Sequence, residues 1–175
     1  NGLNSDNQID DATMAANFSW FKSSSSTIKF GAQIKNLGFL YTNSFNDSLQ
    51  FKIDTKPKEY ASFVKLKYSP SEKFILEPGI RINLYNVYSD SIFPDLRFGT
   101  KYLLTDDRYI NFSVGNYHQF IATFQDDYNP TILDQWIAVD NTVAPAKSSQ
   151  IVLGYEEYIN DLYKLQVEGY YKDIK

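Results

Sequence analysis

Segments in which apolar and polar side chains alternate recur along the chain, and the links between them alternate between short and long. Alternation with a period of two is typical of β-strands that have one apolar and one polar face. The short links are residues 23–26, 69–73, 105–108 and 158–161, and the longer links are residues 42–58, 89–94 and 119–147. In an up-and-down sheet every second link lies at the same end of the strands. The pattern therefore predicts tight turns at one end of a sheet and larger loops at the other.

The segment nearest the end of the sequence shows the alternation most clearly. Leu165 and Val167 fall on one face of residues 163–171, and Gln166 and Glu168 fall on the other. Eight segments of this kind are predicted to be strands, at residues 14–21, 27–41, 60–68, 74–88, 94–104, 109–118, 149–158 and 163–171. Each has about 9 or more residues, the length of a strand that crosses a bilayer at a tilt, whereas ~5–6 residues are common in soluble sheets. With the unequal links, this length predicts an all-β, antiparallel up-and-down meander of about eight strands that forms a sector of a transmembrane β-barrel.

Aromatic residues make up 17% of the chain, and every tyrosine except Tyr128 lies within or beside a predicted strand. Aromatic side chains pack well on any pleated surface, but tyrosines near strand ends are also typical of the girdles at the two membrane interfaces. Pro78 lies inside the strand predicted at residues 74–88, where it removes a hydrogen-bond donor. A bulge or a local break is therefore predicted there.

The composition excludes several classes of function. The net charge of −4 and the scattered basic residues give no reason to expect nucleic acid as a partner. The absence of cysteine excludes disulfides, thiolate metal sites and cysteine nucleophiles. No segment has the ~20 mainly apolar residues of a spanning helix, so a role in a lipid bilayer has to use strands. The chain begins without Met or a signal peptide, which leads us to expect a processed or partial chain.

The sequence contains no motif that points to catalysis. It has no Gly-x-Ser-x-Gly elbow, phosphate loop or dinucleotide fingerprint, and none of its 21 acidic residues stands out as a member of a catalytic pair. His118 is the only histidine, so a histidine-rich metal site is excluded and a structural or interfacial role is favoured. We expect a protein that is not an enzyme and uses no cofactor or metal ion.

The link at residues 119–147 is the best candidate for a functional site, because loops of this length are often functional. It is acidic, has no Lys or Arg before Lys147, and carries several aromatic residues. Such a mixture suits capture of a small-molecule or oligosaccharide ligand, such as a sugar, a peptide or a cationic chelate. An acidic, solvated cover is the alternative. The ligand-binding candidates are His118, Gln119, Asp126, Asp127, Tyr128 and Trp136.

A second set of polar side chains lies on the strands themselves, opposite the apolar faces. If the apolar faces meet lipid, these side chains line the lumen of a barrel. In a soluble protein they would form an ordinary solvated face. The lumen-facing candidates are Arg81, Arg97, Lys101, Lys164, Gln166 and Glu168.

Five short segments in the second half of the chain carry a resemblance to a known family. They are LEPGIR at residues 76–81, FPDLRFG at 93–99, SVGNYHQF at 113–120, PAKSSQ at 145–150 and VEGYYKDIK at 167–175. In order and approximate spacing they resemble the barrel of TonB-dependent outer-membrane receptors, particularly those of Bacteroidetes-like bacteria, whereas residues 1–73 fit only by pattern.

The resemblance implies an importer in the cell outer membrane that is energised through TonB and carries a plug domain inside its lumen. Barrels of this kind have ~22 strands around a plugged lumen. Residues 1–175 would then be a fragment of one barrel domain, with the plug domain absent.

Two other folds stay open at this point. A chain of 175 residues is long enough for a complete small eight-stranded outer-membrane barrel, in which the first strand pairs with the last. A soluble carbohydrate-binding β-sandwich would instead pack two sheets face to face, with the aromatic faces inside.

Overall fold

The computed structural model describes residues 2–46, 48–88, 92–124, 135–141, 143–160 and 162–175. Within these residues the regular elements are strands. They are β1 (Leu3–Ser23), β2 (Ser26–Phe45), β3 (Ser48–Thr55), β4 (Lys58–Ser71), β5 (Phe74–Tyr85), β6 (Ile92–Thr105), β7 (Arg108–Gln119), β8 (Ile121–Phe124), β9 (Gln135–Ala138), β10 (Ala146–Ile159) and β11 (Tyr163–Ile174). The described part of the chain holds no helix of the length and apolarity needed to cross a membrane.

One antiparallel sheet contains nine of these strands and is curled into a half-barrel. Its main path runs β1-β2-β4-β5-β6-β7-β10-β11, so long strands that follow each other in sequence are neighbours in the sheet. The all-β, up-and-down meander of about eight strands predicted from the sequence is confirmed. Strand β3 was not predicted. It pairs with the part of β2 that extends beyond β4. Strands β8 and β9 form a separate two-stranded hairpin.

The two alternative folds do not agree with this topology. A complete small barrel requires β1 to pair with β11, but in the described residues β1 pairs with β2 and β11 pairs with β10. A sandwich requires a second large sheet packed face to face on the first, and the second sheet here has two strands of 4 residues each.

Long side chains that reach over an intervening strand identify the inner face of the half-barrel. Arg81 on β5 donates to Gln33 on β2 at 3.0 Å, across β4, and Lys101 on β6 lies 3.2 Å from Glu156 on β10, across β7. Strand β9 approaches β1 and β2, so the β8–β9 hairpin lies over this same face. We call it the inner face, and the opposite face the outer face.

The first two strands are longer than predicted, and the link predicted at residues 42–58 contains a further strand. The structure begins β1 at Leu3 instead of residue 14, and places β3 inside the link. Residues such as Asp10 and Asp11 put polar side chains on both faces, so no period of two marks them as a strand. They are extended because each pairs with a residue of β2. Asn46, with a positive φ of 49°, makes the turn between β2 and β3.

The longest predicted link, residues 119–147, is not irregular throughout, because parts of it are strand. It contains the β8–β9 hairpin, in which Ile121 pairs with Ala138, and β10 already begins at Ala146. The predicted strand at residues 74–88 ends earlier, at Tyr85, and β6 begins before Pro94, at Ile92.

Pro78 interrupts the pairing of β5 with one neighbour and leaves the other intact. Between β4 and β5 the paired residues run to Lys65 and Gly79 and resume at Tyr68 and Leu76, and the two pairs between them are missing. On the other side, Pro78 pairs with Phe98 in an unbroken ladder between β5 and β6. The local break predicted from the proline is therefore present on the β4 side, where the proline lacks its donor.

Buried apolar side chains gather near the end of the sheet from which the β8–β9 hairpin departs. Phe120 stacks on Tyr85 with ring centroids 4.8 Å apart and meets Phe93 edge-on at 5.0 Å. Val139, on the return from β9, completes the buried cluster. This cluster holds the base of the hairpin against the inner face.

Candidate functional site

The structure describes three of the six ligand-binding candidates. His118 and Gln119 are the last residues of β7, and the backbone of Trp136 pairs with Thr123 within the β8–β9 hairpin. The other three candidates, Asp126, Asp127 and Tyr128, lie outside the described residues. Assignment of a ligand site to this link remains a prediction.

His118 belongs to a buried polar pair that the sequence did not single out. Its Nδ1 atom lies 2.6 Å from Oδ1 of Asp95 on β6, and its ring packs against Phe93 with centroids 5.3 Å apart. The two side chains are 10% and 3% exposed. Oδ2 of the same carboxylate accepts a hydrogen bond of 3.0 Å from Asn83 Nδ2 on β5. His118 therefore has a defined partner in the wall of the half-barrel.

The pair is one end of a polar chain that crosses the inner face from β7 to β2. Arg81 Nε donates to Asn83 Oδ1 at 2.7 Å, and Arg81 Nη2 donates to Gln33 Oε1 at 3.0 Å. The same guanidinium lies 3.6 Å from Glu59 on β4. Each of these polar side chains contacts a residue on another strand or the next inner-face residue of its own strand. The contacts therefore fix the side chains relative to one another.

A cavity of about 400 Å³ opens on the inner face beside this chain. Its wall includes Arg81 and Arg97, with the Arg97 guanidinium 4.5 Å from the centroid of the Tyr117 ring. Lys65 and Glu77 also line it and form an ion pair of 3.0 Å. Arg97 is half-exposed and offers guanidinium N–H donors to the cavity. The cavity can therefore accept a polar or anionic group from a ligand or from another protein segment.

A second charged cluster lies on the inner face nearer the short turns. Glu156 accepts from Lys101 and Lys164, each at 3.2 Å, and from Asn111 at 2.6 Å. Lys101 also lies 4.1 Å from the centroid of the Tyr109 ring. The cluster connects β6, β7, β10 and β11 through one buried carboxylate.

The strand register groups all six lumen-facing candidates on the inner face. Lys101 pairs with Asn111 and Gln166 pairs with Glu156, and alternate residues of a strand share a face. Gln166 donates to Glu168 at 2.9 Å on the edge strand β11. That this face borders a lumen remains a proposal, taken up below.

The outer face carries an apolar belt that crosses every long strand of the main path. Among the described residues, charged side chains of this face lie beyond the belt, such as Asp10 in the part of β1 that extends past β4. Typical members of the belt are Met14, Phe18, Phe30, Val64, Ile80, Ile82, Leu96, Phe98, Val114, Ile151, Leu153, Leu165 and Val167, and many of them are exposed. Near the short turns this face carries Arg108, which pairs with Glu157 at 2.9 Å. An exposed apolar surface of this extent marks an interaction surface.

The sequence analysis did not single out Asp95, Asn83 and Glu156, which are central to the polar contacts of the inner face. Asp95 could have been predicted from its position, because it lies two residues from Arg97 and alternate residues of a strand share a face. The described residues include no group of three or more His, Cys, Asp or Glu side chains placed to hold a metal ion.

Comparison with known proteins gives a likeness in structure. The sequence matches no protein-family model, and no curated protein is significantly similar to it. Among solved structures, the siderophore receptor PirA from Pseudomonas aeruginosa superposes with a TM-score of 0.71 at 10% identity, covering 96% of this chain and 32% of that one. The ferric yersiniabactin uptake receptor FyuA from Yersinia pestis gives a TM-score of 0.64 at 15% identity, covering 99% of this chain and 30% of that one.

A third similar structure is the RagAB peptide transporter, with a TM-score of 0.61 at 9% identity, where 98% of this chain matches 24% of that one. The structures are barrels of TonB-dependent outer-membrane receptors. At these identities the likeness concerns the fold alone, and this chain spans about a third or less of each matched chain.

Proposed function

We propose that the chain forms part of the β-barrel wall of a TonB-dependent receptor that takes up a ligand through the cell outer membrane. The observation that carries the proposal is the division of eight long strands into two faces. One face carries an apolar belt that crosses these strands, and the other holds the partly buried ion pairs around Arg81 and Glu156. A barrel wall between lipid and a polar lumen needs this division.

The likeness to receptor barrels supports the proposal and implies a larger barrel of which these strands are one part. Residues 1–175 are then a fragment of one barrel domain, and the remaining strands, a plug domain and the contact with TonB belong to the intact receptor. The lipid bilayer covers the outer face. Arg97 and Tyr117, at the inner-face cavity, face the lumen and the plug. This role includes no enzymatic step, nucleic acid, cofactor or metal ion.

The link between β7 and β10 is the proposed site of ligand capture. It leaves the sheet at the end opposite the short turns, which in such barrels is the extracellular end. The ligand class is a small molecule or oligosaccharide. Tyr128 and Trp136 supply aromatic surface, Asp126 and Asp127 supply hydrogen-bond acceptors, and Gln119 lies at the base of the link.

The two-faced wall is tested with neighbouring residues of β7. The chain has no cysteine, so single cysteines at Ser113 and Val114 can each carry a fluorophore in a cysteine-free form of the intact protein. In lipid vesicles, a quencher attached to lipid chains should quench the probe at Val114 strongly and the probe at Ser113 weakly, because adjacent residues of a strand face opposite sides. Equal quenching at the two positions contradicts the proposed wall.

Ligand capture is tested by replacing the two aromatic residues of the link. Trp136→Ala combined with Tyr128→Ala should weaken binding of the transported ligand to cells by on the order of tenfold or more, since each stacked aromatic side chain contributes about 0.5–1.5 kcal/mol beyond its buried area. Receptor abundance in the outer membrane, measured by antibody, should be unchanged. Unchanged affinity at normal abundance would reduce the link to a solvated cover.

A further inference from the structure

The pairing between β6 and β7 stops while both strands continue. Their backbone register runs from Thr105 and Arg108 as far as Arg97 and Gly115. Beyond that point β6 extends to Ile92, still paired with β5, and β7 extends to Gln119, still paired with β10. We call the ends of the strands that lie farther from the short turns their outer ends. The outer ends of β6 and β7 therefore lie side by side without a backbone ladder. We call this junction, between residues 92–96 and 116–119, the seam.

Pro94 gives the sequence reason for the seam. Alternate residues of a strand direct their N–H and C=O groups toward the same neighbour, and in β6 the N–H of Leu96 and the C=O of Pro94 point toward β7. Proline has no N–H, so the ladder cannot continue past Leu96 with its usual donors. Pro78 breaks the β4–β5 ladder in the same way, but the backbone pairing resumes there at Tyr68 and Leu76.

The Asn116 side chain takes the place of a peptide group across the seam. Its Oδ1 accepts from the Leu96 N–H at 2.9 Å, and its Nδ2 donates to the Pro94 carbonyl at 3.0 Å. Two residues on, His118 contacts Asp95 at 2.6 Å. Side chains thus hold β7 to β6 at the seam, whereas backbone groups hold the same two strands together from Gly115 to the short turn.

The opposite side of β7 is fully laddered. Its pairing with β10 continues to the base of the 119–147 link, where Gln119 pairs with Ala146. The outer ends of β7 and β10 therefore form one backbone-bonded unit that carries the link. Across the seam this unit is attached to β6 by Asn116 and His118 and by the Tyr117 ring against Arg97. Above the seam, Phe120 packs on Phe93.

We propose that the seam is a latch, at which the outer ends of β7 and β10 separate from β6. The opening begins at Gly115, where the backbone ladder ends. It requires Asn116 and His118 to release their partners, the Tyr117 ring to leave Arg97, and Phe120 to leave Phe93. Release of these side-chain contacts is local, whereas opening anywhere else along β7 breaks a continuous backbone ladder. This inference concerns the wall itself and does not depend on which ligand the link binds.

Amide hydrogen exchange in the intact protein, reconstituted in phosphatidylcholine vesicles, tests the latch without a ligand. The Leu96 amide lies at the seam and the Phe98 amide lies in the intact ladder of the same strand, so each protein preparation contains its own reference. We expect the Leu96 amide to exchange on the order of tenfold faster than the Phe98 amide, because opening at the seam is local. The amides between β7 and β10 should stay protected.

Two variants separate the latch from general loosening of the sheet. Asn116→Leu should accelerate exchange at Leu96 by about another tenfold and leave Phe98 unchanged. The matched control is Ser149→Ala, since Ser149 lies opposite Asn116 in the continuous β7–β10 ladder. This control should change neither amide.

Three results would overturn the proposal. Equal exchange of Leu96 and Phe98 in the native protein would show that the seam does not open. An unchanged Leu96 rate in the Asn116→Leu protein would show that Asn116 is not the latch. Loss of protection between β7 and β10 together with Leu96 would show fraying of the strand ends in place of movement as a unit.

Discussion

Replacement of Asp95 is the most informative single perturbation of the inner face. The carboxylate lies 2.6 Å from His118 Nδ1 and 3.7 Å from Arg97 Nη2, and it accepts from Asn83 at 3.0 Å. Its side chain is 3% exposed. Water therefore cannot take over its contacts without local opening of the strands.

The three partners of Asp95 lose unequal amounts in Asp95→Ala. Asn83 retains a hydrogen bond to a backbone carbonyl at 3.3 Å, and the half-exposed Arg97 is solvated in part. The buried His118 ring loses its charged acceptor. A hydrogen bond to a charged group contributes about 1.5–3 kcal/mol, and a buried group left unsatisfied costs about 1–3 kcal/mol. Since these terms overlap, we expect the free energy of unfolding to fall by about 2–4 kcal/mol.

The assay is urea unfolding of the intact protein in lipid vesicles, with the midpoint compared at constant slope. Asp173→Ala is the control, because Asp173 forms an exposed ion pair with Lys175 at 3.7 Å and its loss should cost less than about 0.5 kcal/mol. Asp95→Asn should fall between them, at about 1–2 kcal/mol, because the amide can still accept from His118 but faces the Asn83 amide with its own donors. If Asp95→Ala costs no more than the control, the polar chain does not stabilise the wall.

Two further predictions concern packing against lipid and against the neighbouring strand. Leu153→Lys should destabilise the protein in vesicles by about 2–4 kcal/mol, because Leu153 lies at mid-strand. Leu165→Lys should cost about 0–1 kcal/mol, because Leu165 pairs with Glu157 near the short turns. Equal costs would contradict this placement. Gly31→Ala should cost about 1–3 kcal/mol, because a Cβ atom at Gly31 would lie 2.5 Å from the Ala16 carbonyl oxygen. Gly169→Ala is its control, since a Cβ there meets nothing within 4 Å, and the same urea assay compares the two.

The long strands and their faces were predictable because they depend on local alternation. In β10 and β11, Ile151 and Leu165 alternate with polar residues, and one strongly apolar face is enough to define a strand and its orientation. The first half of β1 was not predictable in this way, since its polar side chains have no period. Its extended conformation comes from pairing with β2, which is a tertiary effect. β3 is different, because Leu49, Phe51 and Ile53 alternate there with polar residues. That strand was predictable from local alternation and was missed.

The polar chain of the inner face could be predicted only in part. A period of two within one strand places Arg81 and Asn83 on the same face, as the sequence analysis expected for Arg81. It does not specify the register between β5 and β6, which brings Asp95 next to Asn83. Register is set by cross-strand packing and by the turns, and the link that precedes β6 has no turn motif that specifies its geometry.

His118 shows how the structure changes the interpretation of the candidate ligand site. As the only histidine, at the end of a strand before a long link, it was a candidate for ligand contact. In the structure its ring lies between Asp95 and Phe93 and is almost fully buried. A ligand that bonded to its Nδ1 atom would first have to displace a carboxylate at 2.6 Å. Recognition in the link is therefore expected to use other side chains, such as Gln119 and Trp136, while His118 holds the base of the link to β6.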